Sequence, residues 1–260
     1  MKEVEDFLRK KIGMSETTKE HYRYILTSFF ETVGKKPDEV TEDDIVNFIK
    51  RVEKKSSQRT YLQILSSFFK ERNPKLSEFC RNSARGVKYP FKRVYLTKEE
   101  AEAFFRQIDN FRDKLMFAIL LFTGVRVSEL INIRKKDIDM DELSIEVVGK
   151  ESKARKVFFP EKIANALRKY INKLRDDDRL FPLTRVEVFQ LCRYYAKKAG
   201  IKKRISPHVF RHTFAVNFLK KGGSIHTLQQ LLGHSSLAPT TAYLAMVGRD
   251  LREEYMRVMR

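Results

Sequence analysis

Two short stretches near the end of the chain carry side chains that could attack a phosphodiester. His208, Arg211 and His212 fall at positions i, i+3 and i+4, so they can share one face of a helix. His234 follows in a second stretch, and Tyr243 lies nine residues further on. Imidazoles can transfer protons, a guanidinium can stabilise phosphate oxygens, and a phenol can act as a nucleophile. The combination predicts nucleophilic attack on a phosphodiester.

Packing is the ordinary role of a single histidine on a helix, so each of these residues has a structural alternative. The distribution of histidine argues for a site, because four of the five histidines lie between residues 208 and 234. Tyr243 is one of ten tyrosines and is chosen by position alone.

Two helices are predicted to position these side chains. Ser206 can cap the first helix with its hydroxyl, and Pro207 suits the first turn, where no N–H is needed. Gly222 ends that helix, Ser224 can cap the next one, and Gly233 stops it. His234 is therefore expected just beyond a helix C-terminus.

A further arginine is a candidate for binding phosphate upstream. An apolar helix is predicted over Asp113–Phe122 and ends at Gly124, and Arg126 follows directly. A second helix is expected to begin at this turn and to end near Arg134. A surface salt bridge is the alternative role for any arginine in a basic chain, but a turn after an apolar helix is an unusual place for one.

A β-hairpin is predicted in the middle of the second half. Leu143–Val148 and Lys156–Phe159 have strand character, and the residues between them include Lys150 near the turn. Lys150 could protonate a leaving oxygen, or it could be an exposed turn lysine. Composition alone favours the exposed lysine.

The rest of the chain predicts a mainly α-helical protein of two domains. Residues 1–86 have only helical patterns, and their aromatic stripes are interpreted as core. Residues 87–94 form the predicted linker and residues 95–260 the second domain, an α+β unit with a short C-terminal helix over Asp250–Arg260. The basic stretch Arg81–Val94 has no apolar period and contains a proline, which predicts that no helix lies within it.

Helix starts are marked by cap residues and by capping boxes, in which the third helical residue bonds back to the cap. The predicted starts are Ser15, Thr41 with Asp44, Ser56, Thr97 with Glu100, Glu161, and Thr184 with Glu187.

Composition indicates a polyanion as partner. The 260 residues carry a formal net charge of +19 at pH 7 and a pI near 9.8, which indicates nucleic acid as the default partner. A basic protein of the ribosomal type has the same charge. Cys80 and Cys192 are too few for a disulfide framework, and no apolar run is long enough to span a membrane, so we expect a soluble cytoplasmic protein.

An acidic cluster lies just before the predicted hairpin. It resembles half of a calcium loop but lacks the turn glycine and the terminal glutamate of that motif, so it predicts a polar loop before the hairpin. Its members are Asp137, Asp139, Asp141 and Glu142.

The ordered motifs resemble those of the tyrosine recombinase (phage integrase) family. They are Thr123 to Leu130 (TGVRVSEL), Gly149-Lys150, His208 to His212 (HVFRH), Leu232-Gly233-His234 and Tyr243. The likeness is greatest to compact archaeal Xer-type recombinases. It covers residues from about Leu96 to Tyr243, and the helical first domain is similar to the family's SAM-like core-binding domain.

The resemblance implies a role for each matching residue. Tyr243 would be the nucleophile, and Arg126 and Arg211 would clamp the scissile phosphate. Lys150 would be the general acid, although the sequence Gly-Lys-Glu-Ser-Lys leaves Lys153 as the alternative. The remaining implied roles are proton transfer for His208, a phosphate hydrogen bond for His234, support for Glu129, and a structural role for His212.

The resemblance also implies the activity and the assembly. The chain would cut and rejoin double-stranded DNA through a 3′-phosphotyrosyl intermediate without metal, ATP or other cofactors, in chromosome dimer resolution or mobile-element integration. It would clamp DNA as a C-shaped protein, free as a monomer or dimer and recombining as a homotetramer, with the C-terminal tail docked on a neighbour. The alternatives are a type IB topoisomerase and a non-catalytic DNA-binding protein of the same fold.

Overall fold

The chain folds into two units. The computed structural model describes residues 1–87, 94–149, 154–247 and Met259, and for Ala245 only the backbone. One unit comprises Met1–Phe91 and the other Lys92–Arg260. Within the described ranges, no helix has the length and apolarity needed to cross a bilayer.

The first unit is built from helices. Ser15 accepts the backbone N–H of Thr18 at the start of α2, and Gly34 ends α2 in the left-handed conformation. Thr41 and Asp44 form the predicted capping box at the start of α3. The helices of this unit are α1 (Lys2–Lys10), α2 (Glu16–Val33), α3 (Glu42–Lys50), α4 (Lys55–Phe69) and α5 (Pro74–Gly86), with a 3-10 turn at Pro37–Glu39.

Phenylalanines form the centre of this unit. Phe29 makes edge-to-face contacts with Phe30, Phe48 and Phe69, and all four rings are buried. The interpretation of the aromatic stripes as core is confirmed.

The fifth helix contradicts the prediction that Arg81–Val94 contains no helix, because α5 continues to Gly86. Asn73 caps this helix by accepting the N–H of Leu76, and Pro74 occupies its first turn. The buried stripe recurs at every fourth residue and consists of Leu76, Cys80 and Ala84. Cys80 and Ala84 are small side chains with little hydrophobic signal, so the stripe was too weak to predict the helix. Residues 88–93 of the predicted linker lie outside the described ranges.

The second unit combines helices with one small sheet. Its helices are α6 (Lys98–Arg106), α7 (Phe111–Thr123), α8 (Val127–Leu130), α9 (Glu161–Ile171), α10 (Arg185–Lys198), α11 (Pro207–Lys220), α12 (Ile225–Leu232), α13 (Ala238–Thr241) and α14 (Leu244–Val247). Its strands are β1 (Ile138–Asp139), β2 (Ser144–Val148) and β3 (Ala154–Phe158). The prediction of a mainly α protein with a small β-sheet is confirmed.

The predicted hairpin forms the larger part of the sheet. Strands β2 and β3 are antiparallel, with Ile145 opposite Val157 and Val147 opposite Arg155. The short strand β1, which was not predicted, extends the sheet beside β2. The acidic cluster is therefore part strand and part turn, in which Asp139 accepts the N–H groups of Asp141 and Glu142. The described residues contain no group of metal-ligating side chains.

Two local predictions in this unit are wrong. The helix after Arg126 ends at Leu130 and not near Arg134, because α8 is a single turn. Ser206 occupies the cap position of α11, but its hydroxyl makes no capping hydrogen bond. The capping boxes at Thr97 and Thr184, in contrast, are present as predicted.

The described residues of the second unit form two hydrophobic clusters. The larger one lies around α7, α10, the sheet and the first half of α11. The smaller one packs the second half of α11 against α12 and the segment that follows. Its buried members are Ala215, Val216, Leu219, Leu228, Leu232 and Tyr243.

Candidate active site

Three arginines from three different elements converge beside one buried carboxylate. Arg126 occupies the cap position of α8, Arg155 lies in β3, and Arg211 lies in α11. The carboxylate is Glu129 of α8, whose side chain is only 3% exposed.

Glu129 accepts four hydrogen bonds from two of these arginines. The backbone N–H and Nη1 of Arg126 donate to it at 2.7 and 2.8 Å, in a capping-box arrangement. Nη1 and Nη2 of Arg155 donate to its two oxygens, each at 2.8 Å. Burial raises the pKa of Glu129, but the hydrogen bonds from Arg155 and Arg126 and the charge of Arg155 outweigh it and lower that pKa overall. The carboxylate therefore remains ionised and holds both guanidinium groups.

The C-terminal end of α12 is bound by the same three arginines. Arg155 Nε donates to the carbonyl oxygen of Leu231 at 2.9 Å, and Arg211 Nη2 donates to that of Leu232 at 2.6 Å. A third bond, of 3.1 Å, runs from Nη2 of Arg126 to the next carbonyl oxygen along the chain, that of Gly233. Carbonyl groups at a helix C-terminus lack partners within the helix and carry partial negative charge, so they attract cations. The end of α12 thus brings three positive charges together.

Arg211 is the most enclosed of the three arginines, at 4% exposure. Its Nη1 also donates to the carbonyl oxygen of Gly124 at 2.7 Å, just after α7. Burial and the nearby charge of Arg126 lower the pKa of Arg211 to about 9. The group is still a cation at neutral pH.

His234 completes this cluster. Its Nε2 lies 3.1 Å from Nη2 of Arg211, and its Nδ1 lies 2.8 Å from Oγ1 of Thr240. Because a guanidinium can only donate, this contact is a hydrogen bond when Nε2 accepts, that is, when the ring is neutral with its proton on Nδ1. Donation from Nε2 to a phosphate, the role that the resemblance implies, therefore needs a gain or a shift of a proton.

Tyr243 lies in the adjacent small cluster, with 2% exposure. Its hydroxyl is hydrogen-bonded to Nδ1 of His212 at 2.8 Å, and its backbone N–H donates to Thr240. Thr240 in turn contacts His234, so one turn of chain connects the phenol to the arginine cluster.

The two histidines of α11 have different surroundings. His208, in the first turn, is exposed, and partial desolvation followed by the charges of Arg211 and Arg126 lowers its pKa. His212 contacts Tyr243. Lys150 and Lys153 lie outside the described residues.

Sequence reasoning missed Arg155, Thr240 and the contact of His212 with Tyr243. A signal for Arg155 existed, because it lies two residues before Val157 on the same side of a strand whose other inner residues are apolar. A charged residue at an inward position needs a buried partner. The identity of that partner was not visible, since Glu129 is 26 residues away.

Family comparisons cover both units. The family described as "Phage integrase family" matches residues 94–247, and "Phage integrase, N-terminal SAM-like domain" matches residues 1–73. The chain is 31% identical over 268 residues to tyrosine recombinase XerA of Saccharolobus solfataricus, across 95% of this chain and 88% of the relative. It is 30% identical to tyrosine recombinase XerA of Pyrococcus furiosus, across 94% of this chain and 89% of the relative.

Solved structures have the same fold. The crystal structure of XerA recombinase is 30% identical, with a TM-score of 0.57 over 100% of this chain and 99% of the other. The Tn1549 transposon integrase in complex with circular intermediate DNA is 20% identical, with a TM-score of 0.80 over 100% and 98% of the two chains.

Proposed function

We propose, because this chain belongs to the phage integrase family, that Tyr243 is the nucleophile with which it cleaves and rejoins double-stranded DNA. The chain is a tyrosine recombinase, an enzyme of site-specific DNA recombination. The observation that carries the residue assignment is the convergence of Arg126, Arg211 and His234 at the end of α12, one turn of chain from Tyr243.

In the proposed first step, the Tyr243 oxygen attacks the scissile phosphorus and the bond from phosphorus to the 5′ oxygen breaks. His208 assists removal of the phenol proton, and Lys150 or Lys153 of the hairpin protonates the departing 5′ oxygen. The products are a 3′-phosphotyrosyl bond and a free 5′-hydroxyl. One phosphoester bond replaces another, so a 5′-hydroxyl of a partner strand can reverse the attack without added energy.

The two arginines of the clamp have different exposures, which suit different roles. The side chain of Arg126 is 31% exposed, so it can meet an incoming phosphate from solvent. Arg211 is buried and held by two carbonyl groups, so its charge is fixed before the substrate arrives. Fixed cations need little reorganisation as negative charge develops on the phosphate oxygens.

Cleavage also requires Tyr243 to leave its buried position. At 2% exposure and with its hydroxyl on His212, the phenol is shielded from a DNA phosphate. We expect DNA binding to shift the segment from α13 to Tyr243 and to break this hydrogen bond.

Double-stranded DNA is the proposed partner of both units. The net charge of +19 supports binding to phosphates. In the first unit, Arg59 of α4 and Arg81 and Arg85 of α5 line one cleft together with Gln63 and Ser66. We propose that this cleft contacts the DNA backbone, that recombination proceeds in a homotetramer on two sites, and that the enzyme acts in the cytoplasm.

A suicide DNA substrate tests the proposal, because loss of a short 5′-hydroxyl fragment traps the covalent complex. Wild-type protein should form this complex and exchange strands between two sites, whereas Tyr243→Phe should form none. Tyr194→Phe is the matched control, since Tyr194 is 57% exposed on α10 and should react as wild type does. Relaxation of supercoiled DNA without exchange would indicate topoisomerase activity. Equal reaction of wild type and Tyr243→Phe would refute the role of Tyr243.

A further inference from the structure

We propose that Arg155 is a positioning residue for strand cleavage, which holds Glu129 and the end of α12 in the geometry that Arg126, Arg211 and His234 require. This inference rests on the proposed function of those residues and adds one that the sequence motifs do not include. It follows from the hydrogen bonds of Arg155, the space around Gly233 and the place of Arg155 in the hairpin.

The first observation is that Arg155 connects two parts of the site with one planar group. Nη1 and Nη2 hold both oxygens of Glu129 at 2.8 Å, and Nε holds the carbonyl oxygen of Leu231 at 2.9 Å. Its side chain is 13% exposed, against 31% for Arg126. With its fork occupied by Glu129, Arg155 acts through its partners and does not itself bind substrate.

The second observation concerns the other hydrogen bonds made by Glu129 and by the carbonyl groups at the end of α12. The Glu129 carboxylate that Arg155 holds also accepts from the backbone and from Nη1 of Arg126. Leu231 begins the run of three carbonyl groups whose next two members bind Arg211 and Arg126. Without Arg155, the carboxylate would lose two of its four bonds and could rotate, and Arg126 would rotate with it.

The third observation is the space at Gly233. This residue has a φ of +62°, and a Cβ added there would lie 3.0 to 3.1 Å from Nη1, Cδ and Cζ of Arg155. The backbone between α12 and His234 thus passes directly over the Arg155 guanidinium. This close packing restricts the direction in which His234 leaves the helix.

The position of Arg155 in the sheet extends its influence to the hairpin. It is the second residue of β3, opposite Val147 of β2, at the base of the segment that contains Lys150 and Lys153. Arg155 therefore connects the strand that leads to the proposed general acid with the helix end that holds the phosphate clamp. Lysine cannot replace this connection, because an ammonium is a point charge without a planar fork.

The test compares Arg155→Met and Arg155→Lys with Lys156→Met. Lys156 is the next residue of the same strand, is about half exposed and forms an ion pair with Glu142, so it is a matched control outside the site. The measurements are the single-turnover rate of covalent complex formation at saturating DNA, the DNA dissociation constant and the thermal unfolding midpoint.

We expect Arg155→Met to slow cleavage by about 100-fold, as misplaced catalytic groups do, with a dissociation constant within about threefold of wild type. Arg155→Lys should slow cleavage by about tenfold, and it retains the charge and most of the volume, which keeps the test valid if Arg155→Met does not fold. Lys156→Met should cleave at the wild-type rate. Glu129→Gln combined with Arg155→Met should be no slower than Glu129→Gln alone, because both act through one network.

Two outcomes would overturn the proposal. One is a wild-type cleavage rate in folded Arg155→Lys and Arg155→Met. The other is a loss that lies mainly in DNA affinity with a salt slope reduced by about one, which would indicate a direct phosphate contact. Absence of covalent complex in the wild type would refute the proposed function itself, and so the two failures are distinguishable.

Discussion

In each unit of this molecule, an arginine side chain donates two hydrogen bonds to a glutamate, and the two pairs differ in their surroundings. In the first unit, Arg23 donates to Glu5 through Nε at 2.6 Å and Nη2 at 3.1 Å, and these side chains are 41% and 48% exposed. In the second unit, the side chains of Arg155 and Glu129 are 13% and 3% exposed. The functional groups are the same in both pairs, but one pair is exposed to solvent and the other is buried in the protein.

The difference shows that the geometry of an ion pair does not reveal its role. Both glutamates have lowered pKa values, but for different reasons. For Glu5, the leading cause is the hydrogen bond from Arg23, whereas for Glu129 burial opposes the shift and several partners must overcome it. An exposed pair is readily replaced by water, while a buried carboxylate that loses a partner retains the cost of its burial. Only the buried pair can hold other groups of the site in fixed positions.

The largest expected effect is that of Glu129→Gln. The substitution leaves Arg126 and Arg155 without their shared anion in a buried site, so we expect a loss of about 3–5 kcal/mol in the free energy of unfolding and severe loss of cleavage. Urea denaturation and the suicide substrate measure the two effects. Glu5→Gln is the matched substitution in the exposed pair and should leave both unchanged. Equal urea denaturation midpoints for Glu129→Gln and Glu5→Gln would show that the buried and the exposed pair contribute equally to stability.

The second prediction concerns the crowding around the buried pair. Gly233→Ala introduces a side chain at a positive φ and presses it against Arg155, so we expect it to cost roughly 2–3 kcal/mol of stability. Gly200→Ala is the control, because Gly200 has a φ of +66° but no atom within 4 Å of an added Cβ. The Gly200→Ala variant should lose only the free energy of placing a side chain at a positive φ, about 1–2 kcal/mol. Thermal unfolding distinguishes them, and an equal cost would mean that Arg155 moves aside freely.

A smaller effect is expected in the acid range. The folded-state pKa of Glu129 lies below its ordinary value of 4.5, so its contribution to stability is present above pH 4.5 and is lost as the pH falls through the folded-state pKa. The unfolding free energy of the wild type should therefore decline in that window, and the decline should be shallower in Glu129→Gln. Denaturation curves at a series of pH values measure the slope. An identical slope in both proteins would show that Glu129 titrates normally.

The smallest effect is expected for Arg23→Gln. Its pair with Glu5 is exposed to solvent and screened by salt, so the denaturation midpoint should match that of the wild type at physiological ionic strength. The same experiment in low salt should show whatever small difference exists. A midpoint shift as large as that of Glu129→Gln would show that the exposed pair and the buried pair contribute equally to stability.

Most helices were predictable from local signals. Thr41 with Asp44 and Thr97 with Glu100 form their capping boxes as expected, because both partners lie three residues apart. Helix α5 was missed since its inward stripe includes Cys80 and Ala84, which carry little hydrophobic signal. The end of α8 was missed because a single turn leaves no periodicity to detect.

The candidate site was likewise only partly predictable from the sequence. The order of the motifs indicated Arg126, Arg211, His234 and Tyr243, whose catalytic roles remain predictions. Nothing local indicated that Arg155 would bind a carbonyl group 76 residues away. Nor did the sequence indicate that Tyr243 would be buried against His212.

The sequence by itself determined most of the helices, the hairpin, the family and the residue types available for chemistry, because caps, periodicity and motif order are read over a few neighbouring positions. Only the tertiary structure decided which carboxylate neutralises which arginine, and that three guanidinium groups share the end of α12. These choices depend on burial, which makes an unpartnered charge costly and so selects partners that are distant in the chain. That selection is made by the folded packing as a whole.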